Sequence, residues 1–96
     1  MSPDPIDVQH APDHHRFEVR LGDDVAVLVY ERAPGAIALL HTIVPEDFEG
    51  RGVGSALAKA GLDYARAETL EVVPTCAFVK AYIGRHPEYQ PLVRAR

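Results

Sequence analysis

A chain of 96 residues buries only about 60–65% of the surface its unfolded form exposes, so it holds one small core and one domain. Its composition, 47% hydrophobic and 25% charged with a net charge of −4, is that of a globular protein, and basic residues scattered without a run argue against nucleic acid as a partner. One cysteine, Cys76, excludes an internal disulfide framework and any multi-cysteine metal site, and the longest apolar run, Val25 to Tyr30, is far below the roughly 20 residues of a membrane span.

Met1 to Pro5 has neither the basic nor the apolar part of a signal peptide, so the expected setting is cytoplasmic. Residues 1–13 carry three Pro and three Asp and read as a flexible N-terminal tail, leaving 14–96 as the folded domain. Phe17, Val19 and Leu21 alternate with Arg16, Glu18 and Arg20, the period-two pattern of a half-buried strand. Gly22-Asp23-Asp24 is a turn, Val25 to Arg32 a second strand, Ala33-Pro34-Gly35 a turn, and Ala36 to Val44 a third strand. Turns this short imply an antiparallel meander, because parallel neighbours need a long crossover. A helix follows from about Val53 to Arg66, with Val53, Leu57, Ala60, Gly61 and Tyr64 on its apolar face. Leu70 to Val73 is a short strand ended by Pro74. A second helix runs from about Cys76 to Arg85, packing through Phe78, Val79, Tyr82 and Ile83, and stops at His86-Pro87. Tyr89 to Val93 is either a short strand or a cover for the core. The expected fold is α+β, a mixed sheet in the order β-β-β-α-β-α with a right-handed crossover at its end.

The stretch Phe48 to Ser55, FEGRGVGS, lies between a strand and a helix. Glycines there permit tight turns, and the first N–H groups of the helix have no partner, so the loop is suited to an anion. It is not GxGxxG, because position 57 is Leu57, and it lacks the Gly-Lys-Ser/Thr of a Walker A loop. A glycine-rich turn with no ligand is the plain alternative.

The meander, the segment Val44-Pro45 to Gly54 and the amphipathic helix together resemble the acetyl-CoA-binding core of the GCN5-related N-acetyltransferases. The loop pattern of that superfamily, Gln/Arg-x-x-Gly-x-Gly/Ala, ends here in Gly52-Val53-Gly54. The likeness covers about Phe17 to Val93, and the run Val73 to Val79 with Tyr82-Ile83 and His86-Pro87 is similar to a short YjdJ-type subfamily. The resemblance implies acetyl-CoA as the donor and an unidentified amine, on a small molecule or a protein, as the acceptor. It implies that Gly50, Arg51, Gly52, Val53, Gly54 and Ser55 face the pyrophosphate. The backbone of Ile43 and Val44 would pair with the pantetheine arm. One position departs: Glu49 stands where the superfamily has Gln or Arg, and a carboxylate repels phosphate unless it turns to solvent, with Arg51 as compensation.

Cys76 and His41 are the candidate catalytic pair. With Thr75 as N-cap, Cys76 falls in the first helical turn, where the dipole favours thiolate. In the family fold His41 and Cys76 approach each other near the acetyl group, giving either a transient acetyl-cysteine or His41 as general base. The ordinary alternatives are a small core thiol and a satisfied histidine. His10, His14 and His15 lack a carboxylate or thiol framework, so no metal is expected. Tyr82 or Tyr89 is a candidate acid for the leaving thiolate, each with a core role as alternative, and Glu46 and Asp47 are candidate amine contacts. Full-length superfamily members usually have two helices between their first two strands, where this chain has three residues. The acceptor side is therefore open, completed by a second chain in a homo-oligomer, or absent. Two functions stay in view: an N-acetyltransferase, and a non-catalytic acyl-CoA-binding or sensing module.

Overall fold

The computed structural model describes residues 6–93. Five strands form one sheet in the order β1-β2-β3-β4-β5: β1 Val8–Ala11, β2 Arg16–Leu21, β3 Asp24–Ala33, β4 Ala36–Ile43 and β5 Glu71–Val73. The first four are antiparallel, and β5 joins β4 in parallel from Ala36↔Glu71 to Ala38↔Val73. Helix α1, Val53–Ala67, makes the crossover that parallel pairing demands, and α2, Ala77–Arg85, follows β5. After α2 a 3-10 turn over Pro87–Leu92 and a bridge, Val72↔Val93, bring residues 87–93 over the core. The fold is the α+β mixed sheet that the sequence implies. Among the described residues no helix is long and apolar enough to cross a membrane.

The order gains one strand. Val8–Ala11, inside the expected tail, pairs with β2 from Val8↔Val19 to Ala11↔Arg16. Residues 1–5 of that expected tail lie outside the described residues. The cause is tertiary. The His10 ring stacks on Phe17 at 4.3 Å, meets the edge of Tyr64 at 4.6 Å, and shares a 2.6 Å hydrogen bond with the Tyr30 hydroxyl. Those contacts hold a segment whose own composition favours no structure.

One face of the sheet packs against both helices. Leu28, Leu39, Leu57, Leu62 and Val79 are fully buried in this core, with Tyr82 and Ile83 from α2. On α1 the buried stripe is Val53, Leu57, Ala58, Gly61, Leu62 and Ala65. Ala60 and Tyr64, expected on that face, sit at its margin because the stripe is centred about one residue further round. Gly61 lets the helix lie close to the sheet: a Cβ there would come within 2.9 Å of Leu28 Cδ2.

A β-bulge decides what the end of β4 presents. Tyr30 pairs with Leu39, but Val29 pairs with His41, so Leu40 is an extra residue without a partner. Cross-strand partners share a face. Up to Leu39 the core-facing residues of β4 are Ile37 and Leu39; beyond the bulge Thr42 shares the core face with Leu28. His41 and Ile43 turn to the open face with Val29 and Val27.

Candidate functional site

The sheet opens where β5 ends. Pairing of β4 with β5 stops at Ala38, and the chain then turns at Thr75 so that the Cys76 N–H donates to the Leu39 carbonyl at 2.8 Å. Beyond that point the free edge of β4 faces the start of α2 instead of a strand. After β4 a 3-10 turn, Glu46–Phe48, leads into the glycine loop. Gly50 and Gly52 have φ of 81° and 82°, left-handed values that strain any side chain. Gly52 is the N-cap of α1 and gives it no side-chain cap. The opening N–H groups of a 15-residue helix therefore point out with its positive dipole end.

This loop forms one wall of a cleft of about 460 Å³, with Thr42 and Val44 on the β4 side and Phe78 from α2. Of the expected donor-binding residues, Val44, Gly50, Gly52, Val53, Gly54 and Ser55 line it. Arg51 does not; its guanidinium lies over the Phe48 ring at 5.3 Å. Ile43 does not either, because the bulge turns its side chain to the open face, 57% exposed. Glu49 stands on the cleft's rim, exposed to water. Phe78 presses on Gly54 so closely that a Cβ there would meet its ring at 2.9 Å.

Cys76, 9% exposed, does not line this cleft but neighbours it through Thr42. Helix α2 begins at Ala77, so Cys76 is itself the N-cap and not, as expected, the first-turn residue after a Thr75 cap. Its Sγ is 3.4 Å from the Thr42 hydroxyl oxygen. Burial works against the thiolate, but the Thr42 hydroxyl and the N–H groups of Val79, Phe78 and Thr42 facing the sulfur outweigh it. Together they hold the thiol below its ordinary pKa. The sulfur's polar partner is Thr42, one residue along from His41 and on the other face of the strand. His41 is exposed, and the two residues meet only as opposite walls of a second, shallower cleft of about 450 Å³. Cys76 and His41 thus share one cleft, while the side-chain hydrogen bond of the sulfur is to Thr42, which the bulge at Leu40 brings to that side of the strand.

The remaining candidates lie elsewhere. Tyr89 is buried and donates its hydroxyl to Asp63 Oδ1 at 2.7 Å, and Tyr82 stacks on His86 at 4.1 Å, so both serve the packing of the helices. His10 is engaged with Tyr30, and no cluster of three His, Cys, Asp or Glu side chains that could hold a metal ion occurs among the described residues. Glu46 and Asp47 are exposed on the turn after β4. The sequence reading misses Thr42 and Phe78 as site residues. The doublet Leu39-Leu40, which breaks strand alternation, is the signal for the first. For the second, the stripe Val79, Tyr82, Ile83 places position 78 about 100° off the core, and Phe78 is accordingly 39% exposed.

Residues 16–92 match the family model for the GCN5-related N-acetyl-transferases. The chain is 41% identical over 93 residues to Protein NATD1 of Mus musculus, covering 94% of this chain and 84% of that one. The Homo sapiens protein of the same name is also 41% identical over 93 residues, with 94% and 82% covered, and the Danio rerio protein is 36% identical over 90, with 91% and 82% covered. Among solved structures, the solution structure of a GCN5-like protein from Staphylococcus aureus superposes with a TM-score of 0.72 at 26% identity, over 95% of this chain and 90% of that one. A five-stranded sheet split at β4, a glycine loop on an uncapped helix and a family match across most of its length lead to one assignment: the chain belongs to the GCN5-related N-acetyltransferase family.

Proposed function

We propose that this protein binds acetyl-CoA in the cleft between β4 and α1 and transfers the acetyl group to an amine. The observation that carries this reading is the continuity of the cleft, from the uncapped N-terminus of α1 past Val44 to Thr42 and Phe78, beside Cys76. The residues fit the donor. Left-handed Gly50 and Gly52 turn the backbone so that the N–H groups of Val53, Gly54 and Ser55 meet a diphosphate, and the dipole of α1 adds favourable charge. The free edge of β4 at Ile43 and Val44 offers backbone groups to an extended, amide-bearing arm. Glu49 stays in solvent at the rim, where screening limits its repulsion, and Arg51 offsets it from beside Phe48.

Acetyl-CoA supplies a thioester-activated acetyl group; the chain holds it and moves protons. In the direct route the acceptor nitrogen bonds to the acetyl carbon, the carbon–sulfur bond breaks so that coenzyme A leaves as its thiolate, and the nitrogen's proton passes to the His41 imidazole. In the indirect route the Cys76 thiolate, supported by the Thr42 hydroxyl, bonds to the acetyl carbon as the carbon–sulfur bond to coenzyme A breaks and its thiolate leaves. The amine nitrogen then bonds to that carbon, the bond to Cys76 breaks to restore its thiolate, and the nitrogen's proton passes to His41 or solvent. A lone thiol of this kind is suited to the reducing cytoplasm. A second reading, a non-catalytic acyl-CoA-binding module, is favoured by one observation: no base is hydrogen-bonded to Cys76.

Incubation with acetyl-CoA and candidate amines, followed by free-thiol release and intact mass, separates these readings. Amine-dependent thiol release supports transfer, and abolition of it in His41→Ala with survival in Cys76→Ala selects the direct route. Mass gain of one acetyl group on Cys76 selects the indirect one. Tight binding without thiol release under any amine supports the binding module and rejects transfer.

A further inference from the structure

We propose that the acceptor is an amine carried on an otherwise uncharged, apolar body, and that it approaches from the open face of the sheet. This rests on the acetyl-transfer reading. The second cleft lies between Leu40–Ile43 of β4 and Thr75–Phe78 at the start of α2. It shares Thr42 and Phe78 with the donor cleft, so the two openings meet at the residues that flank the Cys76 sulfur. A donor lying along the first cleft presents its reactive end to a molecule held in the second.

The chemistry of the walls selects the class. Three large hydrophobic side chains are exposed among the described residues, and two of them, Ile43 at 57% and Phe78 at 39%, line this cleft with Leu40 and Ala77. Its ionisable side chains are His41 and Cys76, and no carboxylate lines it. On the adjoining open face Val29 is half-buried and Val27 is buried, opposite Arg16 and Glu18 of β2. The nearest buried carboxylate on that face, Glu18, is already held by Arg16 at 2.6 Å, with Arg20 at 3.9 Å. Glu31 follows on the same face opposite Ala38, on the far side of the bulge from Thr42 and Ile43. An alkyl or aryl amine gains by covering Ile43 and Phe78, and His41 takes the one proton the nitrogen loses on acylation. A diamine would bring a second ammonium against walls that carry no carboxylate, which disfavours it.

The test uses the full chain with acetyl-CoA and two probes, 2-phenylethylamine and putrescine, following thiol release, with acetyl-CoA affinity measured in parallel by calorimetry. The expected kcat/KM for 2-phenylethylamine exceeds that for putrescine by about tenfold or more, and Ile43→Asp shrinks or reverses that ratio by a similar factor. Ile43 is more than half exposed, so the substitution leaves the core intact. Equal or better use of putrescine by the wild type overturns the inference, as does an Ile43→Asp variant with an unchanged ratio. A protein that binds acetyl-CoA but acetylates neither probe also overturns it. Absence of acetyl-CoA binding in the calorimeter overturns the transfer reading, and this inference with it.

Discussion

Replacing Gly52 by Ala tests whether the left-handed turn at the head of α1 is what the donor site is made from. The residue has φ 82° and ψ 7°, where a Cβ costs roughly 1–2 kcal/mol. No clash adds to this, since the nearest atom to a Cβ at 52 is Ile6 Cδ1 at 3.9 Å, an ordinary contact. Stiffening of the unfolded chain returns about 0.4–1 kcal/mol. The net loss is then roughly 0–1.6 kcal/mol, or up to about 13 °C in Tm for a domain of this size. Gly22→Ala supplies the control. Its φ is 66°, a Cβ there meets nothing within 4 Å, and it lies in the β2–β3 turn, which takes no part in the donor cleft. Thermal unfolding of both variants with and without millimolar acetyl-CoA gives the readout, because a ligand selective for the folded state must raise Tm. Both variants lose a similar amount of Tm without ligand. Only Gly52→Ala also loses most of the acetyl-CoA shift, because relief of the strain turns the helix-head N–H groups away from the anion. A Gly52→Ala variant with wild-type Tm and a wild-type acetyl-CoA shift would refute the reasoning.

Thr42→Val keeps the shape of the side chain and removes the hydroxyl beside Cys76 Sγ. The thiol pKa, held low mainly against burial by that hydroxyl and nearby N–H groups, then rises, and the pH midpoint of iodoacetamide alkylation moves upward from the wild-type value. His10, whose pKa is lowered by burial and then by Arg32, is neutral in the folded state where an unfolded histidine would begin to protonate. Its contribution to stability is complete above the ordinary value of 6.5 and is lost as pH falls through the lower folded value. Urea unfolding from pH 7 to 5 therefore shows stability falling with pH, and His10→Gln flattens that slope while the amide still reaches Tyr30. Leu62→Ala, at a fully buried position on α1, costs about 2–5 kcal/mol and leaves the donor cleft's lining residues unchanged.

The strands from Arg16 onward and both helices were legible because each buries one face, and the period of burial is written in the residues. Strand β1 was not: Val8–Ala11 is short, lies among Pro and Asp, and is held by rings of Phe17, Tyr30 and Tyr64 that come from distant parts of the chain. The glycine loop was legible for a local reason, since Gly50 and Gly52 are needed for their own φ values. The partner of Cys76 was not, because one inserted residue, Leu40, reverses which side of β4 each later residue faces. Strict alternation from Leu39 puts His41 beside the core; the bulge puts Thr42 there.

The proposed donor site is the cleft between β4 and α1, with the diphosphate of acetyl-CoA at the helix head and its acetyl end at Thr42 and Cys76. Backbone amide NMR of the full chain titrated with acetyl-CoA tests it most directly. The largest shift changes are expected at Gly50 to Ser55, at Thr42 to Val44 and at Cys76 and Phe78, with little change in the β2–β3 turn. No change at millimolar acetyl-CoA, or changes centred away from those residues, would contradict it.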